Sequence, residues 1–273
     1  MLIIALILLA VAIGCFVAHI NAKNKVGEIL YVPSSRIGDI SERAAAVADV
    51  LGKGYSSDYT EIKGKMEAPE VLTSPLGEAE CVYYTSSIDR EWEEEEYYTD
   101  DEGNEKTRIN SGRDQIYSDN GWVRFQVDDG SGKIWIDPEH ADIDLSTSVD
   151  RYEPEQSIRV AKGVLRLGDL RLDVRSPSLP GQRWIKGYHF HEQIFEPSGE
   201  LYLLGTVVDR EGDLTLVKPA EKGQRYVISH KSEEQLVEEI TNSSKWLLWG
   251  SIASAVLGLI LGVIGLATGN TGF

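Results

Sequence analysis

The chain has 273 residues with 27 Lys and Arg against 44 Asp and Glu, a formal net charge of −17. All of that charge lies between Lys23 and Lys245, so an acidic body sits between two uncharged ends. The balance excludes nucleic acid as a partner, because the body would repel its phosphates; the two cysteines, Cys15 and Cys81, read as small buried apolar side chains.

Leu2 to Ile20 is almost wholly Leu, Ile, Ala and Val. A helix needs about 20 apolar residues to cross a hydrocarbon core, so residues 1–22 are expected to be a transmembrane helix. No Lys or Arg opens the run, and Ile20 stands where cleavage after Ala22 would prefer a small residue. It therefore reads as a signal anchor. Residues 23–230 read as a β-rich soluble domain. Ser41 to Leu51 is its one Ala-rich helix, ended by Gly52 and Gly54.

Strands follow at Tyr59–Met66 and Cys81–Ile88. Val123, Phe125 and Val127 alternate against Arg124 and Gln126, and Ile134 and Ile136 flank Trp135. Asp128, Asp129, Gly130, Ser131 and Gly132 supply the turn chemistry between them, which predicts a hairpin. Further strands are predicted over Val164–Val174, Arg183–Phe195, Leu201–Val208, Leu214–Val217 and Tyr226–Ser229. Many short strands at this spacing predict an antiparallel barrel or sandwich. Residues 89–114 carry few aliphatic side chains and include Glu93–Glu96 and Asp100-Asp101-Glu102. They read as an acidic insertion, an exposed hairpin or loop whose spacing does not match a calcium-binding helix-loop-helix.

His189 and His191 are the only close histidine pair. On a strand, positions i and i+2 share a face, so both rings could reach one metal ion, while Glu192 points the other way. They are the candidate metal ligands; two half-exposed strand histidines are the plainer reading. No phosphate-binding glycine loop, nucleophile elbow or zinc-ligand array is present. No catalytic residue is assigned and no cofactor is expected.

Residues 231–245 read as a juxtamembrane helix, with Ser232 and Gln235 at capping-box spacing and Leu236, Val237 and Ile240 as an apolar stripe. It is expected to run into a second transmembrane helix over 246–268, with Trp246 and Trp249 as interface aromatics, followed by a short tail, 269–273. Gly250, Ser254, Gly258 and Gly262 recur every fourth residue, a small-residue stripe of the kind that packs helices in lipid. Ala10, Gly14 and Ala18 offer a matching surface on the first span. The fold class is thus membrane-anchored α+β, mainly β, with an antiparallel barrel or sandwich between two transmembrane helices.

The order of motifs carries a resemblance. "EIKGKMEAPEVLTSPLGEAECVYY", "VRFQVDDGSGKIWIDPEHADI", "YHFHEQIFEPSGELYLLGTVV" and "KGQRYVIS" follow one another before the second span. This pattern resembles the GIDE domain, also called BAM for "beside a membrane", in its prokaryotic form. The resemblance implies a relation to the mitochondrial and chloroplast E3 ubiquitin ligases, which carry a RING finger after the second span. A RING needs eight Cys or His ligands, and here no cysteine follows Cys81. The expectation is therefore a two-span membrane protein presenting a non-catalytic sensing, binding or scaffolding module. Expected partners are the membrane, other proteins, or a second copy through the transmembrane helices. The alternatives are a ligase-like member acting with a separate catalytic subunit, or a metal-dependent hydrolase using His189, His191 and Cys81. Lys23, Lys25 and Lys245 at the inner ends of the spans place the body in the cytoplasm by the positive-inside rule; the mitochondrial relatives imply the opposite side.

Overall fold

The computed structural model describes residues 2–167, 170–174, 183–210 and 212–267. The expected tail, 269–273, lies outside them. Helix α1 runs Leu2–Tyr31 and α2 runs Ile37–Leu51. Strands β1 (Ser57–Glu67), β2 (Leu72–Thr73), β3 (Glu80–Cys81), β4 (Tyr83–Thr99) and β5 (Glu105–Trp122) come next. Strands β6 (Phe125–Asp128), β7 (Lys133–Ile136), β8 (Asp142–Ile143) and β9 (Ser146–Pro154) lead to β10 (Arg159–Ala161), β11 (Val164–Leu167) and β12 (Leu170–Asp173). Last come β13 (Arg183–Phe195), β14 (Glu200–Arg210), β15 (Asp213–Val217), β16 (Val227–Ser229) and helix α3 (Glu233–Ala267).

Five strands close a barrel in the order β1-β6-β7-β15-β14, with β14 returning to β1. Only β7 and β15 run parallel; the other barrel pairs are antiparallel. Alternation decides what fills it. Ile62 and Met66 of β1, Phe125 and Val127 of β6, and Ile134 and Ile136 of β7 point inward and are buried together. Gly64 sits between the two inward residues of β1. A Cβ there would lie 2.7 Å from the Asp128 carbonyl and from a Val127 methyl, so only glycine lets β6 cross this closely.

Helix α2 plugs one end through Ile37 and Ile40. It begins at Ile37, four residues before the expected start at Ser41, because its first amides are capped from far away. The Ile37 amide donates to Asp129 Oδ2 at 2.7 Å and the Gly38 amide to Ser131 Oγ at 2.9 Å, both from the β6–β7 turn. Burial pushes the Asp129 carboxyl up, but the bonds from Ser131, Ile37 and Gly132 outweigh it and hold it below its ordinary value.

A second sheet, β5-β4-β13-β9, stands beside the barrel and carries the small sheet β10-β11-β12. Leu76, Ile88, Ile116, Ile158, Leu165 and Phe190 form the core of this second layer. The acidic segment 89–114 is part of the β4–β5 hairpin, paired out to Thr99 and Glu105. The stretch 164–174, expected as one strand, is two: Leu167 faces Leu170 in an antiparallel pair.

Phe125 is fully buried in the barrel, whereas Ile109 on the hairpin is 63% exposed. Phe125→Ala should lower unfolding free energy by about 3–5 kcal/mol and Ile109→Ala by less than about 0.5 kcal/mol, measured by chemical denaturation in detergent.

Candidate functional site

Strand β13 places His189 and His191 on one face. His189 Nε2 lies 2.8 Å from Glu91 Oε2 of β4, and its ring is 4.8 Å from that of Tyr152. The bond from His189 holds the Glu91 carboxyl below its ordinary value. His191 faces Asp150 at 4.0 Å across an exposed surface. Among the described residues, no group of three or more His, Cys, Asp or Glu side chains converges to hold a metal ion.

Glu192, on the opposite face, is fully buried and its carboxylate collects donors. Ser74 Oγ and the Gly77 amide donate to Oε1; the Leu76 amide and Ser86 Oγ donate to Oε2, all at 2.7–2.9 Å. This pins the loop between β2 and β3 onto the sheet and satisfies a charge that would otherwise be costly to bury. Cys81 lies nearby, fully buried, its thiol 3.7 Å from the Leu72 carbonyl. Burial, with a smaller contribution from the Glu192 charge, pushes that thiol from 9.0 up to about 11. A cysteine nucleophile works as its thiolate, so Cys81 is protonated and inert at neutral pH.

The most elaborate convergence of polar groups lies where the barrel meets the helices. Helix α1 continues nine residues past Ala22 to Tyr31, and there Glu28 Oε1 accepts from the Tyr59 hydroxyl and from the Arg225 amide, both at 2.7 Å. Burial and the Glu28 bond push the Tyr59 phenol well above its ordinary value. Around this knot Ile29 of α1 packs on Tyr202 and Leu204 of β14 and Val227 of β16, with Leu236, Val237 and Ile240 of α3 against them. Lys63 of β1 bridges to Glu233 at the start of α3 at 2.8 Å, and Lys231 joins Asp144 at 2.9 Å to Glu239 at 2.8 Å. The bond to Glu233 raises the Lys63 ammonium, and those to Glu239 and then Asp144 raise Lys231. Ser232 and Gln235 close the reciprocal cap of α3: the Gln235 amide donates to Ser232 Oγ and the Ser232 amide to Gln235 Oε1.

Beyond this seat the two helices run side by side, antiparallel. Their buried residues are Ala5, Ala12 and His19 on α1, and Ser244, Ser251, Gly258 and Gly265 on α3, each set spaced by seven. They meet in register. Ser244 Oγ is 2.7 Å from His19 Nδ1, Ser251 Oγ donates to the Ala12 carbonyl at 3.0 Å, and Gly258 lies against Ala5. Of the four residues in the four-spaced stripe, Gly258 and Gly262 face α1. Gly250 has open space where its Cβ would be, and Ser254 is half-buried. A seven-residue repeat is the period of a left-handed helix pair, 3.5 residues per turn, rather than of a straight helix. Sequence reasoning followed the glycines; the serine-glycine heptad and His19 were there to be found by testing that period as well.

Both helices are long and apolar enough to cross a membrane. At 1.5 Å per residue, the 30 residues of α1 span about 45 Å and the 35 of α3 about 52 Å, more than the roughly 30 Å of a hydrocarbon core. The excess is the polar part that carries the seat. Trp246 and Trp249 are 79% and 66% exposed, where the uncharged run of α3 begins.

A profile of the GIDE family, described as "E3 Ubiquitin ligase", matches residues 93–264, from the β4–β5 hairpin to the far part of α3. Comparison with characterised proteins and with solved structures returns no match.

The raised Cys81 thiol makes a pH prediction. Below pH 9.0 the thiol is protonated in both states and its burial is unpenalised; between 9.0 and about 11 the unfolded thiol ionises first, so stability falls as pH rises. Unfolding midpoints from pH 8 to 10.5 should decline, and Cys81→Ala should flatten the limb above pH 9. An identical limb in the variant would contradict this.

Proposed function

The chain belongs to the GIDE family, whose profile covers more than half of it, and on that premise we propose that it holds a non-catalytic binding or scaffolding module beside a membrane. Helices α1 and α3 cross the bilayer as a pair, and the barrel stands on the part of the pair that emerges. One observation carries this reading above the others. The Glu28–Tyr59–Arg225 knot and the apolar patch around Ile29 tie the barrel to both helices, so the module is held at a fixed height rather than hung on a tether. A presenting platform needs that rigidity, since each partner it binds must meet the surface at one distance and orientation.

The body faces the cytoplasm in this reading. Lys23 and Lys25 follow the uncharged run of α1, and Lys245 precedes that of α3; such residues are retained on the cytoplasmic side. The face of α3 holding Gly250 is not spent on α1 and supports association with a second membrane helix.

Alkaline carbonate washing of membranes containing the full chain should leave it in the pellet, and protease added to intact cells should spare the body. Release by carbonate, or rapid cleavage outside, would each overturn the corresponding half of the proposal.

The helix pair makes its own prediction. A Cβ on Gly258 would lie 3.2 Å from the Ala5 carbonyl and 3.3 Å from Leu8 Cβ. Gly258→Leu should therefore cost about 1–3 kcal/mol in detergent unfolding, while Gly250→Leu should stay within about 0.5 kcal/mol. Equal effects would show the seam to be incidental.

A further inference from the structure

A groove of about 590 Å³ opens between the barrel and the helix pair on one side of the seat. We propose that it binds one membrane phospholipid with a zwitterionic, ammonium-bearing headgroup, an inference that rests on the membrane reading above. Three observations lead there.

The first is height. The foot of the groove is lined by Ala18 and Ala22 of α1 and Leu247 of α3. These lie at the level of the His19–Ser244 contact, beside Lys23 and Trp246, where the uncharged runs begin. Lys25 stands seven residues above Ala18, about 10 Å along the helix, and only three above Ala22. The headgroup layer on each side of a bilayer is roughly 5–8 Å deep. The charged middle of the groove therefore falls in the headgroup layer, and its foot opens sideways to acyl chains.

The second is where the charges stand along the groove. The foot, Ala18, Ala22 and Leu247 beside Asn21 and Ser243, carries none. Above it come Lys25, Lys231 and Arg225, with Asp142, Asp144 and Glu239 interleaved over an apolar backing that includes Ile29 and Val227. That uncharged-to-charged order matches an amphiphile standing upright in its leaflet, with chains against Ala18 and Leu247 and head at the lysines.

The third is charge balance, and it selects the headgroup. Arg225 is paired with Asp142, and Lys231 with Asp144 and Glu239. Lys25 is exposed and takes part in no ion pair among the described residues. Three cations against three carboxylates give no net attraction for a purely anionic head, and the chain as a whole carries −17. A zwitterion avoids that cost: its phosphate takes Lys25 and a share of Lys231, and its ammonium takes the outward carboxylates of Asp142 and Glu239, whose side chains are 64% and 59% exposed. One ion pair is exchanged for another, with a gain at Lys25.

The test uses the full chain purified in mild detergent and titrated separately with phosphatidylethanolamine, phosphatidylglycerol and soluble glycerophosphoethanolamine, with occupancy read by native mass spectrometry. One phosphatidylethanolamine per chain should bind, about tenfold more tightly than phosphatidylglycerol, and the soluble headgroup should bind far more weakly than the lipid. Lys25→Glu should weaken the lipid about tenfold without moving the melting temperature, and Ala22→Phe, which fills the foot, should do the same from the apolar end. Tighter binding of phosphatidylglycerol would overturn the headgroup assignment. Equal binding of the soluble headgroup would overturn the lipid as ligand, and unchanged binding in both variants would overturn the groove as the site. Any of these in protein that resists carbonate extraction would leave the membrane reading standing; release by carbonate would remove both.

Discussion

Everything in this molecule is built on the close approach of two helices from opposite ends of the chain. Ser244 meets His19, Ser251 meets the Ala12 carbonyl and Gly258 meets Ala5, contacts between residues more than 200 apart in sequence. In the proposed membrane setting there is no hydrophobic drive to bring such helices together, so packing and a few hydrogen bonds must do it. Small side chains at every seventh position let the backbones come close. A serine at two of those positions adds a polar contact where few competing partners exist. The pair holds the two ends of the intervening chain side by side, and the closed barrel sits above them.

The seat follows from that geometry. Because α1 and α3 emerge together, one short patch of barrel surface can touch both. Tyr202, Leu204 and Val227 supply its apolar part, and Tyr59 and the Arg225 amide share the Glu28 carboxylate. The ion pairs at Lys63 and Lys231 are partly exposed and contribute less to stability than to orientation. The same arrangement leaves a groove on one flank, since a round barrel cannot cover two cylinders evenly. Support for the module and a place for a ligand thus come from one packing constraint.

How much of this the sequence discloses depends on how far away the deciding partner is. The β6–β7 hairpin is legible because its alternation and its Asp-Gly-Ser-Gly turn are local. The Ser232–Gln235 cap is legible for the same reason. The start of α2 is not, because Asp129 and Ser131, about ninety residues on, cap it. The four-residue recurrence of glycine in α3 is visible at once, yet the buried period is seven, set by the partner helix and not by α3 itself. That Glu192 points away from the histidines is legible from strand alternation, but that the Ser74–Ala79 loop folds over its carboxylate is not. The histidine pair shows the reverse: its shared face is predictable, but sequence cannot say that Glu91 and Asp150 are its neighbours instead of further ligands. The knot at Glu28 joins three segments; Arg225 falls inside the KGQRYVIS motif, but nothing local pairs it with Glu28 or Tyr59, so only the assembled fold displays it.

The central claim is that the barrel and helices α1 and α3 form one rigid body. A spin-label distance measurement across the seat tests it most directly, with labels at Lys65→Cys on the barrel and Trp249→Cys on α3. Both positions are exposed, and the background carries Cys15→Ala while retaining the inert Cys81. In bilayers the account predicts one narrow distance distribution, which broadens when Glu28→Ala and Tyr59→Phe remove the knot. A distribution already broad in the unmodified seat would contradict it.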